Sequence, residues 1–255
     1  CGSMHSILVD QHGGAWAWGS NSHGQLGTGG RSDRAEPARI TCDGQRVIGL
    51  AAGGTHTLLC TSRGRAFACG SNATGQLGLP HDDPAAVAYA GSGDSRTLLV
   101  PTVVAELLGT RIVAVAAGFA HSTFLSRPGG VFCCGAGEAG QCGNGRTQEV
   151  NDKPAAVSAL EPVACAAIAC GNFHSAALAR DDEGLYTWGE GKYGRLGHGG
   201  EACESAPRLV AGLLGVRVAR VACGGACTCC IDEMGGLWTW GSNSWGQCGH
   251  GSGAG

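Results

Sequence analysis

Four histidines recur in one setting: His5, His56, His121 and His174 each follow a glycine by three residues, after Gly2, Gly53, Gly118 and Gly171. Imidazole can serve as a general base or as a metal ligand near neutral pH. A catalytic group is normally unique in a chain, whereas this one is copied at regular intervals. The copies are therefore expected to be structural, each ring hydrogen-bonded to a turn. A fifth copy has Gly224 but carries Cys227 in the histidine slot, which suits a structural role that tolerates loss.

Cysteine is the second candidate for chemistry. Fifteen thiols would suggest a disulfide framework in a short secreted chain. The densest group is Cys223, Cys227, Cys229 and Cys230, and Cys227-x-x-Cys230 has zinc-ligand spacing. On a strand, however, those two side chains point to opposite faces, and no second Cys-x-x-Cys exists. No metal is expected. No nucleophile–base pairing, paired carboxylates, phosphate-binding loop or dinucleotide fingerprint occurs, so neither catalysis nor a cofactor is expected. A candidate contact loop remains in 80–100, with His81, Asp82, Asp83, Tyr89, Asp94 and Arg96 around a Gly91-Ser92-Gly93 tip.

The elements that hold these residues form a repeat. Trp18-Gly19-Ser20-Asn21-x-x-Gly24-Gln25-Leu26-Gly27 returns at Cys69-Gly70, Cys134-Gly135, Trp188-Gly189 and Trp240-Gly241, each with its own following Gly-Gln/Arg-Leu/Cys-Gly. Between each histidine slot and this phrase lies a hairpin signature, as in His56–Thr61, a turn at Gly64, and a return strand ending at Cys69. The return strands alternate large and small: Trp16-Ala17-Trp18, Phe67-Ala68-Cys69, Phe132-Cys133-Cys134, Tyr186-Thr187-Trp188 and Trp238-Thr239-Trp240. That period of two suits sheets stacked face to face, with large groups entering the space left by small ones. A further short strand precedes each Gly-x-x-His (Val47–Ala52, Ile112–Ala117, Val163–Cys170, Val216–Cys223). A fourth is expected to start at Pro37, Pro101, Pro154 and Pro207, on a blade margin where a missing N–H is tolerated. The Asn or Gly two residues after each Trp/Cys-Gly pair (Asn21, Asn72, Gly137, Gly191, Asn243) is expected in a left-handed turn.

Four short strands per ~50 residues, with no helical period, describe an all-β β-propeller of four-stranded blades. The units are a partial repeat over 1–36, then 37–100 with an inserted loop at 80–100, then 101–153, 154–206 and a partial repeat over 207–255. All five belong to one propeller region spanning 1–255. Five hairpins with four of each flanking strand make eighteen strands, two short of five full blades, so a fragment of a longer ring is expected. In this frame the cysteines are substitutions for Trp, Leu and Ala, small buried hydrophobes whose repeat-equivalent sites should not meet as disulfides. Unpaired thiols in that number point to a reducing compartment, cytoplasmic or nuclear.

The phrases Trp-Gly-Ser-Asn-x-x-Gly-Gln-Leu-Gly and Gly-x-x-His-Thr, with Trp18 to Cys69, Cys134 to Trp188 and Trp188 to Trp240 spaced 51, 54 and 52 residues apart, resemble the regulator-of-chromosome-condensation repeat family over nearly the whole chain. The resemblance implies a seven-bladed ring, with Gly19, Gly70, Gly135, Gly189 and Gly241 as structural repeat positions. It also implies a protein-binding scaffold. Alternatives are a guanine-nucleotide exchange factor for a Ran-like small GTPase, or the partner-binding domain of a larger ubiquitin ligase. An ultraviolet-B receptor of the family carries Trp-Arg between the glycine and the histidine. Here those slots read Ser3-Met4, Gly54-Thr55, Phe119-Ala120 and Asn172-Phe173, so light sensing is not expected.

Composition agrees with a folded, partner-binding domain. Charged residues are only 15 % and apolar ones 43 %, so the chain should fold. A net charge of −3 without a basic block disfavours nucleic acid as a partner. No apolar stretch is long enough to span a bilayer, and no signal peptide is visible. A protein partner is expected, with a small GTPase as one candidate class.

Overall fold

The computed structural model describes residues 1–79, 96–181 and 184–251. Among them are 18 strands in five antiparallel sheets. The first sheet holds β1 (His5–Val9), β2 (Ala15–Gly19) and β3 (Arg34–Ile40). The second holds β4 (Val47–Ala52), β5 (His56–Thr61), β6 (Ala66–Ser71) and β7 (Thr97–Val103). The third holds β8 (Ile112–Ala117), β9 (His121–Ser126), β10 (Val131–Gly137) and β11 (Gln148–Ala156). The fourth holds β12 (Cys165–Cys170), β13 (His174–Ala179), β14 (Leu185–Gly189) and β15 (Glu204–Leu209), and the fifth β16 (Val218–Cys223), β17 (Cys227–Asp232) and β18 (Leu237–Gly241). Strands follow chain order within every sheet, which makes each one a propeller blade of the expected meander type.

Local chemistry explains the hairpins. In the first, the Asp10 carboxylate accepts the N–H groups of His12 (2.8 Å) and Gly14 (2.9 Å), and its other oxygen accepts Trp16 Nε1 (3.1 Å). Asp232 repeats this with Met234, Gly236 and Trp238. A side chain that closes its own turn fixes the register of the return strand.

The outer strands begin earlier than their prolines suggest. Pro37, Pro101, Pro154 and Pro207 lie inside β3, β7, β11 and β15, not at their starts. Each falls in a register break opposite the Trp or Cys of the return strand, as between Ala68↔Thr102 and Gly70↔Leu98. The other three breaks lie between Ala17 and Gly19, between Cys133 and Gly135, and between Thr187 and Gly189. A bulge on an edge strand is where a residue without an N–H costs no ladder bond. The 80–100 excursion is likewise shorter than its proline spacing implies, because β7 already begins at Thr97.

The left-handed turn positions also differ from expectation. Asn21, Asn72, Gly137, Gly191 and Asn243 do not have positive φ; the preceding Gly19, Gly70, Gly135, Gly189 and Gly241 do, at 102–106°. The asparagines act through their side chains instead. Asn21, Asn72 and Asn243 accept the N–H of Leu26, Leu77 and Cys248 at 2.9–3.0 Å, closing the loop from within.

The core is not central but lies between blades, in four apolar clusters. Ala15 and Ala17 of the first blade meet Leu59 and Phe67 of the second, and Ala66 and Ala68 meet Phe124 and Cys134 of the third. Cys133 meets Trp188, and Leu185 and Ala176 meet Cys230 and Trp240. In the first three blades the small residue of the return strand thus packs in one cluster with large residues of the next blade. A repeat counted from proline to proline straddles two sheets, which ties each blade covalently to its neighbour. Within these repeats all fifteen cysteines are free thiols.

Candidate functional site

The pairings His56↔Gly70 and His121↔Gly135 put the histidines and the Trp/Cys-Gly phrases at one end of the blades. This histidine end is built as a repeating clamp. His5 Nε2 meets the Thr57 hydroxyl of the next blade at 2.8 Å. His56 meets Ser122 at 3.0 Å, His121 meets Ser175 at 2.9 Å, and His174 meets Thr228 at 2.8 Å. Each hydroxyl in turn donates to a carbonyl of the preceding blade, at Gln25, Gln76, Gln141 and Arg195. The single hydroxyl proton is used there, so each imidazole must donate through Nε2–H. The partner is thus a strand hydroxyl of the next blade, not the turn expected from sequence.

Three of these carbonyls, those of Gln25, Gln76 and Gln141, accept a second donor from the Trp/Cys position. Trp188 Nε1 reaches Gln141 O at 2.9 Å, while Cys69 and Cys134 reach Gln25 O and Gln76 O at 3.7 and 3.8 Å. Cysteine there replaces tryptophan as a donor as well as an apolar group. Sequence reasoning missed the hydroxyls, although Ser or Thr follows every histidine slot: Ser6, Thr57, Ser122, Ser175 and Thr228.

Burial leaves these imidazoles without basic capacity. It lowers His56, His121 and His174 to about 3, and His5 to about 4. Burial also raises the thiols: Cys60 to about 11, and Cys42 and Cys170 to about 12. A buried, protonated thiol is a poor nucleophile and metal ligand. Among the described residues no group of three or more His, Cys, Asp or Glu side chains could hold a metal ion.

Inside the ring of histidines the glycines of the five Gly-x-x-His/Cys segments line one cavity of about 240 Å³, with Cys1, Cys170, Cys223 and Phe119 on its wall. Backbone bonds run from blade to blade around it: Ser3 N–H to Gly53 O, Gly54 to Phe119, Phe119 to Asn172, and Asn172 to Gly225. A Cβ at Gly53 would lie 2.7 Å from Gly118 O, so only glycine permits this approach.

The first residue of each variable pair, Ser3, Gly54, Phe119 and Asn172, lines this cavity, and three residues of these pairs are large, apolar and exposed. Met4, Phe119 and Phe173 are 73 %, 45 % and 40 % exposed, and the Phe119 and Phe173 rings touch with centroids 5.9 Å apart. On the neighbouring loops Tyr193 is exposed beside Lys192 and Arg195, and Trp245 is almost fully exposed. Of the candidate contact loop, His81, Asp82, Asp83, Tyr89 and Asp94 lie outside the described residues, while Arg96 is exposed. The anchors of that loop are at the histidine end. Asn72 N–H donates to Arg96 O (2.6 Å), and Asn72 Nδ2 to Leu79 O (2.7 Å).

Comparison with known proteins gives a consistent result. A sequence model described as the RCC1-like domain matches residues 1–254. The human E3 ubiquitin-protein ligase HERC2 is 35 % identical over 255 residues, covering 98 % of this chain and 5 % of that protein. The Arabidopsis thaliana ultraviolet-B receptor UVR8 is 31 % identical over 252 residues, covering 98 % and 54 %. The crystal structure of human WBSCR16 superimposes with a TM-score of 0.82 at 26 % identity, covering 98 % of this chain and 62 % of that one. The chain thus spans about half of UVR8 and a small part of HERC2.

Proposed function

The chain belongs to the RCC1-like domain family, and from that premise we propose that it is a non-catalytic protein-binding module that docks its partner on the histidine end. One observation carries this reading. The side chains with chemical potential are committed to holding blades together, whereas the variable slots of the same segments leave Met4, Phe119 and Phe173 exposed, with Phe119 on the wall of the axial cavity. Exposed aromatic and methionine side chains at the centre of a face are the usual anchors of protein interfaces. The insert bearing His81, Asp82, Asp83, Tyr89 and Asp94 joins the fold at this end and supplies acidic groups, which set association rate with a basic partner surface. The free thiols favour a reducing compartment, the cytosol or nucleus. No helix of the described residues is long and apolar enough to cross a membrane.

The test uses cross-linking and mass spectrometry to identify a partner, then purified components to measure affinity. The Phe119→Ser/Phe173→Ser protein should keep its fold and bind at least tenfold more weakly. A nucleotide-release assay with a Ran-type GTPase should show no acceleration. Undiminished affinity in the double variant would move the docking site elsewhere, and stimulated release would replace the scaffold with an exchange factor.

A further inference from the structure

At the end of the blades opposite the histidines, the repeat brings two side-chain positions together on the second to fifth blades. One stands just before the innermost strand, the other in the hairpin turn just after the next strand. A backbone bond joins them: Ser62 N–H to Arg46 O, Arg127 to Arg111, Arg180 to Ala164 and Glu233 to Arg217, at 2.6–2.9 Å. The side chains are not fixed by the fold, since Arg or Ala occurs in the first position and Ser, Arg or Glu in the second. In the fifth blade the two carry opposite charges, and Arg217 pairs with Glu233 at 3.7 Å. In the third they are Arg111 and Arg127. Two guanidinium groups so placed repel each other.

The adjoining turn of the second blade adds two more. Arg63 and Arg65 flank Gly64, whose carbonyl accepts the Ile112 N–H at 2.9 Å. A Cβ on Gly64 would lie 2.5 Å from Arg111 Cγ, so the Arg111 stem rests on that turn. Arg63, Arg65, Arg111 and Arg127 thus form one patch across two blades, each with four strands and a neighbouring blade on both sides. All four are exposed, and among the described residues none takes part in an ion pair. The acidic groups on the flanking segments are Asp43, Glu106 and Glu161, and Glu106 is 3.6 Å from Lys153. Leu108, 55 % exposed and just ahead of Arg111 in the chain, offers an apolar contact beside the charges.

We propose that Arg63, Arg65, Arg111 and Arg127 form a docking site for a carboxylate-rich protein segment. The segment supplies from outside the carboxylate that Glu233 supplies within the fifth blade. Arginine suits this task, because its planar fork takes both carboxylate oxygens at once. Four forks on adjoining turns favour a run of glutamate or aspartate, and Leu108 favours a peptide with an apolar residue over a bare anion. The overall charge of −3 argues against a nucleic acid, whose affinity rests on its dense phosphate charge. This surface lies at the other end from the histidines and does not depend on the role assigned to that face.

The probe is a short fluorescein-labelled peptide of glutamates around a central pair of leucines, titrated against the full chain by fluorescence anisotropy. One-to-one saturable binding is expected at low salt, weakened at least tenfold in about 0.5 M salt. Arg127→Glu recreates the Arg217–Glu233 arrangement within the third blade. That protein should keep a Tm no lower than the original and bind the peptide at least tenfold more weakly. Arg63→Glu/Arg65→Glu, confined to exposed turn positions, should weaken binding as much. Arg31→Glu makes the same change of net charge as Arg127→Glu, but beside Ser22 at the histidine end, and should alter affinity less than twofold. Equal weakening by Arg31→Glu, or no saturable binding to the original protein, overturns the proposal. Tighter binding of oligothymidine or of phosphatidylserine vesicles than of the peptide also overturns it, and makes this a phosphate-binding surface instead.

Discussion

Each hydroxyl of the blade-to-blade clamp handles two bonds at once, accepting from an imidazole and donating to a carbonyl. Removing it at Ser122 strands the His56 N–H, at about 1–3 kcal/mol for an unpaired buried group, and leaves the Gln76 carbonyl only the long Cys134 thiol contact. Ser122→Ala should therefore destabilise the fold by roughly 2–4 kcal/mol in urea titration. Ser122→Thr should be near neutral, because threonine already fills the equivalent positions Thr57 and Thr228. If the alanine variant were as stable as the original, the clamp would be ornamental. Nitrogen NMR should find His56, His121 and His174 as neutral Nε2–H tautomers. Their Nδ1 atoms are buried with no partner, which burial tolerates only in a neutral ring.

Among the elements, the return strands are the least tolerant, because each carries at or near its end a glycine where two chain segments nearly touch. At Gly70 the backbone is left-handed with φ of 104°, and an added methyl would meet Thr55 O. Gly109 has φ of 89° but open space around its Cβ position. Gly109→Ala should cost only the left-handed backbone penalty of about 1–2 kcal/mol. Gly70→Ala adds a backbone collision and should abolish soluble expression or cost clearly more. Similar losses from the two variants, measured by thermal unfolding, would show that conformation alone, not contact, selects Gly70.

At the scale of the whole molecule, stability should narrow from both sides of neutral pH. The four clamp histidines titrate at about 3 to 4 in the fold against 6.5 when unfolded. Below pH 6.5 the unfolded chain binds protons that the folded one does not, so stability falls as pH drops through that window. Each unit of depression is worth about 1.4 kcal/mol, so four such groups make a marginally stable fold sensitive to acid. Unfolding should begin well before pH 4. Buried thiols act in the opposite sense. Cys60 is held to about 11 and Cys42 to about 12, against 9.0 unfolded, so stability is also lost as pH rises above 9. Denaturant midpoints measured from pH 4 to 10 should trace a dome; a flat profile would contradict burial of these groups. In native protein a thiol reagent should label Cys1 and Cys203 first, since those two alone are exposed.

The repeat carried by local sequence was sufficient to specify the blades. The flanking strands Val47–Ala52 and Ile112–Ala117 have the limits read from hydrophobic alternation, because a period of two and its bounding glycines are local properties. Alternation of Ala17 or Ala68 with large neighbours likewise announced face-to-face packing. Other features depended on residues far apart in the chain. The histidine partner is a hydroxyl 52–66 residues away, the prolines sit in bulges defined by a neighbouring strand, and left-handed geometry belongs to Gly19, where the Met4 carbonyl crowds the Cβ position, not to Asn21. Whether Phe119 and Phe173 are covered or bare was also beyond any single segment. Exposure is a property of what stands next to a side chain, and in a propeller that neighbour comes from the next blade, about fifty residues further along.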